Sequence, residues 1–435
     1  MIDLLQKITG SIRMKGNLTR ELVFTVIVQI VIMIVNFIVY KAASNLMPVD
    51  SFGIFNVARR SATLVAFVLL NGLGISIPRF LSIYRQTRNL VLEKNLLVAG
   101  TFLALVTSLF LLFCSIAFPE YLSRIFLGSE SSTSAVFPVS LHSIGILVFT
   151  FVSAYLRGIN KIKNFNLMQL GFQLIVLVLL FTAGKDPITL LGCWGLSWMV
   201  IAAIIFLLTY YHEPIVSIPL NLELLKKELG ILMRYGLPRV AGEFALFGFF
   251  SVPLLILSSR NDLKTAAILS VSIAFFQLVT AIFGFAGYVL LPYVSIGFSK
   301  GRMREIVLNL RKMQWLYLMG SLLSTFLLII FTKFLIRLFF SPSFFDAISA
   351  THIISVGILP YSFYLLYRNP IDAVSVFPWN TLFLSIAFII LVVLSVLACD
   401  LKGFALAFLV ASYILGISSL VAWKILSKNI INKSY

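Results

Sequence analysis

Cysteine, charge and acid are all in short supply in this chain. Three cysteines occur among 435 residues. Cys114, Cys193 and Cys399 each sit in an apolar run, which excludes a disulfide framework and leaves them as small core hydrophobes. Charged residues make up 11% of the chain and hydrophobic ones 60%, with a mean hydropathy of +1.03. A soluble domain of this size needs far more polar surface, so the chain reads as a polytopic membrane protein. His142, His212 and His352 are scattered, with no carboxylate or thiolate at metal-ligand spacing. They read as packing residues, and no metal is expected. The absence of a G-x-x-x-x-G-K-[ST] phosphate loop excludes an ATP-driven pump in this chain alone, and no cofactor is expected. Paired carboxylates for acid–base chemistry are also missing: of 16 acids, only Glu243 lies well inside an apolar run. Nothing here marks an enzyme.

What is abundant is base. Lys and Arg number 34, for a net charge of +18. No basic run is interleaved with aromatic residues in a soluble segment, so nucleic acid is not the partner. Basic loops on the cytoplasmic side of a membrane protein produce such an excess by themselves. Residues 1–21 are too polar to form a signal peptide's apolar core, and within them Ile2, Leu4, Leu5 and Ile8 fit a short interfacial helix.

A hydrocarbon layer of about 30 Å needs about 20 apolar residues per helix. Twelve spans meet this: 22–43, 53–78, 95–118, 134–156, 165–183, 188–211, 232–258, 265–291, 313–333, 347–367, 374–398 and 403–423. Lengths of this kind predict helices, not the short alternating strands of a membrane barrel. Base-rich connections hold Lys7, Arg13, Lys15 and Arg20; Arg85, Arg88 and Lys94; Arg157, Lys161 and Lys163; Lys226, Lys227 and Arg234; Lys300 to Lys312; Arg368; and Lys424 to Lys433. The alternate connections are sparser and short, which places both termini in the cytoplasm and leaves no room for an external catalytic domain.

The chain also repeats itself. "FPEYLSRIFLG" (118–128) matches "FTKFLIRLFFS" (331–341) at an offset of 213, and "SIGIL" (143–147) recurs as "SVGIL" (355–359) at 212. Pro78 and Pro292 are 214 apart. These offsets predict two parallel six-helix lobes, 22–211 and 232–427. A cytoplasmic segment 1–21, a linker 212–231 and a tail 428–435 complete the division. In the linker, the spacing of Leu222, Leu225 and Leu229 predicts an interfacial helix.

Polar residues form stripes on particular spans. Gln29, Asn36 and Tyr40, following Thr25, share one face of span 1; Asn56, Arg60, Thr63 and Asn71 share a sector of span 2, with Arg59 a quarter-turn away. Span 7 opens with Tyr235, Arg239, Gly242 and Glu243, and span 8 carries Ser270, Gln277 and Thr280. Single amides in membrane helices often serve only to bond a neighbouring helix. Aligned faces on spans 1, 2, 7 and 8 predict a shared polar cavity lined by Arg60, Arg59, Asn56, Gln29, Asn36, Tyr40, Asn71, Arg239 and Gln277. Glu243 either pairs with Arg239 or exchanges a coupling ion. Arg59 and Arg60 either snorkel at the outer surface or stand inside the membrane, where a guanidinium fork suits an anion.

The stretch "MPVDSFGIFNVARRSATLVAFVLLNGLGISIPRFLSIYR" (47–85) resembles the bacterial polysaccharide exporters that include the O-antigen flippases, through Phe52-Gly53, Gly72-Leu73-Gly74 and Arg79. That family lies in the multidrug, oligosaccharidyl-lipid and polysaccharide exporter (MOP) superfamily. The resemblance implies two six-helix lobes flanking a cationic cavity, here supplied by Arg60, Arg59 and Arg239. It implies a place in the bacterial inner membrane among its lipids. The cargo it implies is a polyprenyl-pyrophosphate-linked oligosaccharide, moved to the outer leaflet and passed to a glycan polymerase and chain-length machinery. A drug/cation antiporter of the same superfamily is the alternative, although it favours an acidic cavity. A membrane glycan polymerase needs a large outer loop that is absent.

Overall fold

Apolar runs of this length satisfy their own backbone in a membrane only by coiling, and all the regular structure among the described residues is helical. The computed structural model describes residues 16–130, 132–284, 290, 293, 294, 298, 301–375 and 377–433. Ile2, Leu4, Leu5, Ile8, Lys7, Arg13, Lys15, Pro292 and Lys300 therefore lie outside the described residues. Among the described residues, eleven helices are long and apolar enough to cross a membrane, or twelve if a pair bent by 45° is one span. Contacts divide the chain into two units, Ile27–Ala267 and Met1–Val26 with Ile268–Tyr435. The expected lobes meet at 212–231, whereas this partition follows packing.

The first unit holds α1 (Gly16–Leu46) from Ile27 onward, α2 (Val49–Leu69), α3 (Leu73–Gln86), α4 (Leu90–Ala117) and the short α5 (Pro119–Leu127). It continues with α6 (Val136–Gly158), α7 (Ile162–Ala183), α8 (Pro187–Tyr211) and α9 (Leu222–Ser259). Its core joins Leu73, Ile77 and Leu81 of α3 to Leu96 and Leu97 of α4 and to Phe151, Val152 and Tyr155 of α6. Glycine permits a close crossing between α6 and α8: a Cβ on Gly145 would strike the Gly195 backbone, and one on Gly195 would strike His142.

The expected span 53–78 is broken in two. Asn71 and Gly72 adopt φ of 51° and 70°, a left-handed pair that ends α2 and restarts the chain as α3. Gly72 packs on Gly236 of α9 so closely that a Cβ on either would collide with the other strand of backbone. Beyond this knuckle α9 runs along α2, with Phe67 stacked on Phe247 at 3.8 Å, and then meets α5, where Ser258 Oγ donates to the Leu127 carbonyl.

The linker also differs from expectation. Pro214–Ser217 is a single 3-10 turn, and residues 222–231 are the first turns of the continuous, 38-residue α9. Leu225 and Leu229 pack on the core of the first unit, so their apolar face is covered by protein rather than lying in the membrane interface.

The second unit holds α10 (Leu263–Gly284) from Ile268 onward, then α11 (Met303–Phe339), α12 (Ala347–Val356), α13 (Ile358–Val374), α14 (Trp379–Leu397) and α15 (Leu401–Lys433). The bend between α12 and α13 sits at Gly357. Tyr367 and Trp423 stack at 5.9 Å within its core. The repeated segment takes two forms. In the first copy Pro119 lacks the N–H that would continue α4, and α5 begins there as a separate helix. In the second copy Thr332 stands in that place, and α11 runs unbroken to Phe339.

Candidate functional site

The two arginines at the head of span 2 lie inside a polar cluster of the first unit. Asn56, 0% exposed, donates from Nδ2 to the Phe52 carbonyl at 2.8 Å and accepts from the Tyr40 hydroxyl of α1. The same Tyr40 oxygen accepts from Arg59 Nη2 at 2.8 Å. The Arg59 guanidinium lies 4.8 Å from the Tyr40 ring centre and 5.4 Å from that of Phe55. Aromatic faces attract a cation electrostatically, so Arg59 is held by a hydroxyl and two rings. Arg60, 7% exposed, donates from Nη1 to the Phe250 carbonyl of α9 at 3.0 Å. Its burial and its bond to α9 disagree with a snorkelling side chain. Behind Phe55, Trp194 continues the aromatic stack at 6.4 Å, and His142 meets Trp194 edge-on at 5.1 Å.

A second cationic group sits further along α9. Arg239 lies 3.6 Å from the Tyr235 ring centre and donates to the Tyr235 carbonyl at 2.7 Å, so its bonds go to Tyr235 rather than to Glu243. Arg79 of α3 donates to the Tyr235 hydroxyl at 2.6 Å and lies 4.8 Å from the same ring centre. At about 1.5 Å per residue, Arg239 is roughly 16 Å down α9 from Phe250. Base therefore recurs at two levels of one helix face, and at the lower level a single tyrosine gathers both guanidinium groups. Among the described residues, none of Arg59, Arg79 and Arg239 forms an ion pair with a carboxylate.

The remaining expected lining residues go elsewhere. Gln29 donates to Gln169 Oε1 at 2.7 Å, and Asn36 accepts from Gln173 Nε2 at 2.5 Å, so both amides bond α7. Gln169 and Gln173, four apart in an apolar run, are the signal that sequence reasoning passed over. Asn71 lies in the α2–α3 break, not on the helical face of span 2, and donates to the Leu69 carbonyl at 3.1 Å. Glu243 is half-buried on α9. Gln277 is half-buried on α10 in the second unit. Among the described residues no group of histidines, cysteines and acids has the geometry of a metal site.

A neutralised ionic cluster ties the linker to the first unit. Arg85 pairs with Glu93 at 2.7 Å and with Glu213, and Lys161 pairs with Glu213 at 2.7 Å. Lys94 Nζ donates to the carbonyls of Val216, at 2.9 Å, and Ile218. Burial pushes the Glu213 carboxyl up, but Lys161 and Arg85 outweigh it and hold the group below its ordinary value.

No family profile and no curated protein matches this sequence. Solved structures do match. A multidrug resistance MATE family transporter of the MOP superfamily, in its inward-facing conformation, aligns at a TM-score of 0.73 with 13% identity, over 91% of this chain and 96% of its own. An outward-facing structure of that description aligns at 0.62 with 15% identity over 95% and 96%. A eukaryotic MATE transporter aligns at 0.61 with 12% identity over 96% and 99%. Identities this low speak to fold alone. The chain has an all-helical fold like that of the MATE transporters.

Proposed function

We propose that the protein is an exporter that moves an anionic, lipid-linked oligosaccharide, carried on polyprenyl pyrophosphate, to the outer leaflet by alternating access. The observation that carries this reading is that Arg59, Arg79 and Arg239 are held by tyrosines rather than by carboxylates. Tyrosine positions a guanidinium and leaves its positive charge uncompensated, which favours a phosphate-bearing ligand. Stripping the hydration of a pyrophosphate in hydrocarbon costs tens of kcal/mol for an isolated ion, and fixed cations along a wet passage lower that barrier. Binding must stay modest so that cargo can leave. On this reading the product passes to a membrane glycan polymerase and its chain-length machinery.

A second reading has its own support. The structural neighbours include multidrug resistance transporters, which supports a drug/cation antiporter; on that reading Glu243 is the coupling group. Binding by the purified protein separates the two. The proposed export reading predicts saturable binding of a polyprenyl pyrophosphate that weakens in Arg59→Gln, and no competition from a lipophilic cation. Binding of the lipophilic cation lost in Glu243→Gln, with no pyrophosphate binding, overturns it in favour of the antiporter.

A further inference from the structure

Glu228, in the first turns of α9, is 0% exposed and makes no ion pair among the described residues. The Tyr84 hydroxyl of α3 lies 3.0 Å from each of its carboxyl oxygens. A phenol oxygen both donates and accepts, so it can serve the protonated acid as well as the carboxylate. Burying an unpaired carboxylate is far costlier than burying the neutral acid. α9 has 38 residues, and a bilayer core takes about 20, so these first turns, before the apolar run 232–258, are not needed to span the hydrocarbon.

Among the described residues, no charged group on the packed elements forms an ion pair with Glu228. On α3, Arg85 is committed to Glu93 and Glu213, and Arg88 is exposed. On α4, Glu93 faces Arg85, and Lys94 is spent on linker carbonyls. On α9 itself, Lys226 and Lys227 are exposed. Burial raises the Glu228 carboxyl above its ordinary value, against the opposing pull of Tyr84 and Lys227.

We propose that Glu228 is a proton site that latches the first turns of α9 onto α3: protonated while the two are docked, and ionised once water reaches it. On undocking, the proton passes to water at the end of the molecule that carries the basic loops. Docking binds a proton, so it is strongest below the ordinary carboxylate value and is lost as pH rises through the higher, docked value. The latch holds whichever cargo the protein carries.

The test uses full-length protein in lipid nanodiscs with Cys114, Cys193 and Cys399 replaced by serine. Spin labels are placed at Gln86→Cys and Lys226→Cys, both exposed positions, and the distance distribution is measured between pH 5 and 9. The wild-type background should show one short distance at low pH and a growing longer population as pH rises. Glu228→Gln and Glu228→Met, either of which suffices if only one folds, should keep the short distance throughout. A pH-independent wild-type distribution overturns the proposal. So does the same pH response in the variants, or variants fixed at the longer distance.

Discussion

Arg59 depends on a residue nineteen positions earlier. Tyr40 accepts its hydrogen bond and offers its ring, and Asn56 holds Tyr40 in turn. A hydrogen bond to a charged group contributes about 1.5–3 kcal/mol, and a cation over a ring about 0.5–2 kcal/mol. Tyr40→Phe keeps the ring and loses the acceptor, so it should lower export without lowering protein level; Tyr40→Leu loses both and should lower export further. Surface glycan normalised to membrane protein, in cells lacking the chromosomal copy, checks the order, and a Leu variant equal to wild type contradicts it. Arg60→Lys keeps the charge but not the fork that reaches Phe250. It should retain partial export where Arg60→Gln loses most.

At the scale of the element, two features govern how α2, α3 and α9 meet. The first is the glycine knuckle. Gly72→Ala combines a left-handed φ of 70° with a collision against Gly236. It should lower the melting temperature in detergent more than Gly230→Ala, where a Cβ meets nothing within 4 Å; equal melting temperatures would remove the knuckle's structural role. The second is the Glu213 clamp. Its carboxyl is held below the ordinary value, so its stabilisation is complete above that value and is lost as pH falls through the lower, folded one. The melting temperature of Glu213→Gln should therefore lie below wild type at neutral pH and converge with it in acid. A constant gap assigns the clamp no ionic role.

Sequence reasoning reached some of these features and not others. Helices and spans followed from apolar length, and Arg60 stood out because charge inside such a run is costly. The α2–α3 break was not legible, because Asn71-Gly72 sits in an unbroken apolar stretch and hydropathy ignores φ. The face of α1 was legible as polar, but its partners were not. Periodicity places Gln29 and Asn36 on the same side as Tyr40, yet the amides bond α7 and the tyrosine bonds α2. A stripe records direction around a helix, and a neighbour decides what lies there. The Arg85–Glu213 pair spans 128 positions, a separation for which no local pattern exists.

At the scale of the whole molecule, the basic loops predict orientation and the helices supply the number of crossings. Among the described residues there are twelve candidate spans if the bent pair α12–α13 is one, and the expected topology with both termini in the cytoplasm needs an even number. A reporter fused after Lys312 or Lys433 should read cytoplasm, and one after Asp186 or Lys402 the outside. An outside signal at Lys312 would break the twelve-span topology. The fold itself suits several cargoes, so the account rests on charge. Its central claim is that arginines of α2, fixed by tyrosine and backbone, attract the phosphate of a lipid-linked saccharide. The most direct measurement is surface glycan in cells whose only copy carries Arg59→Gln with Arg60→Gln, with the variant's membrane level confirmed. The account predicts near-complete loss of glycan at normal protein level. Wild-type glycan from a fully expressed double variant would contradict it.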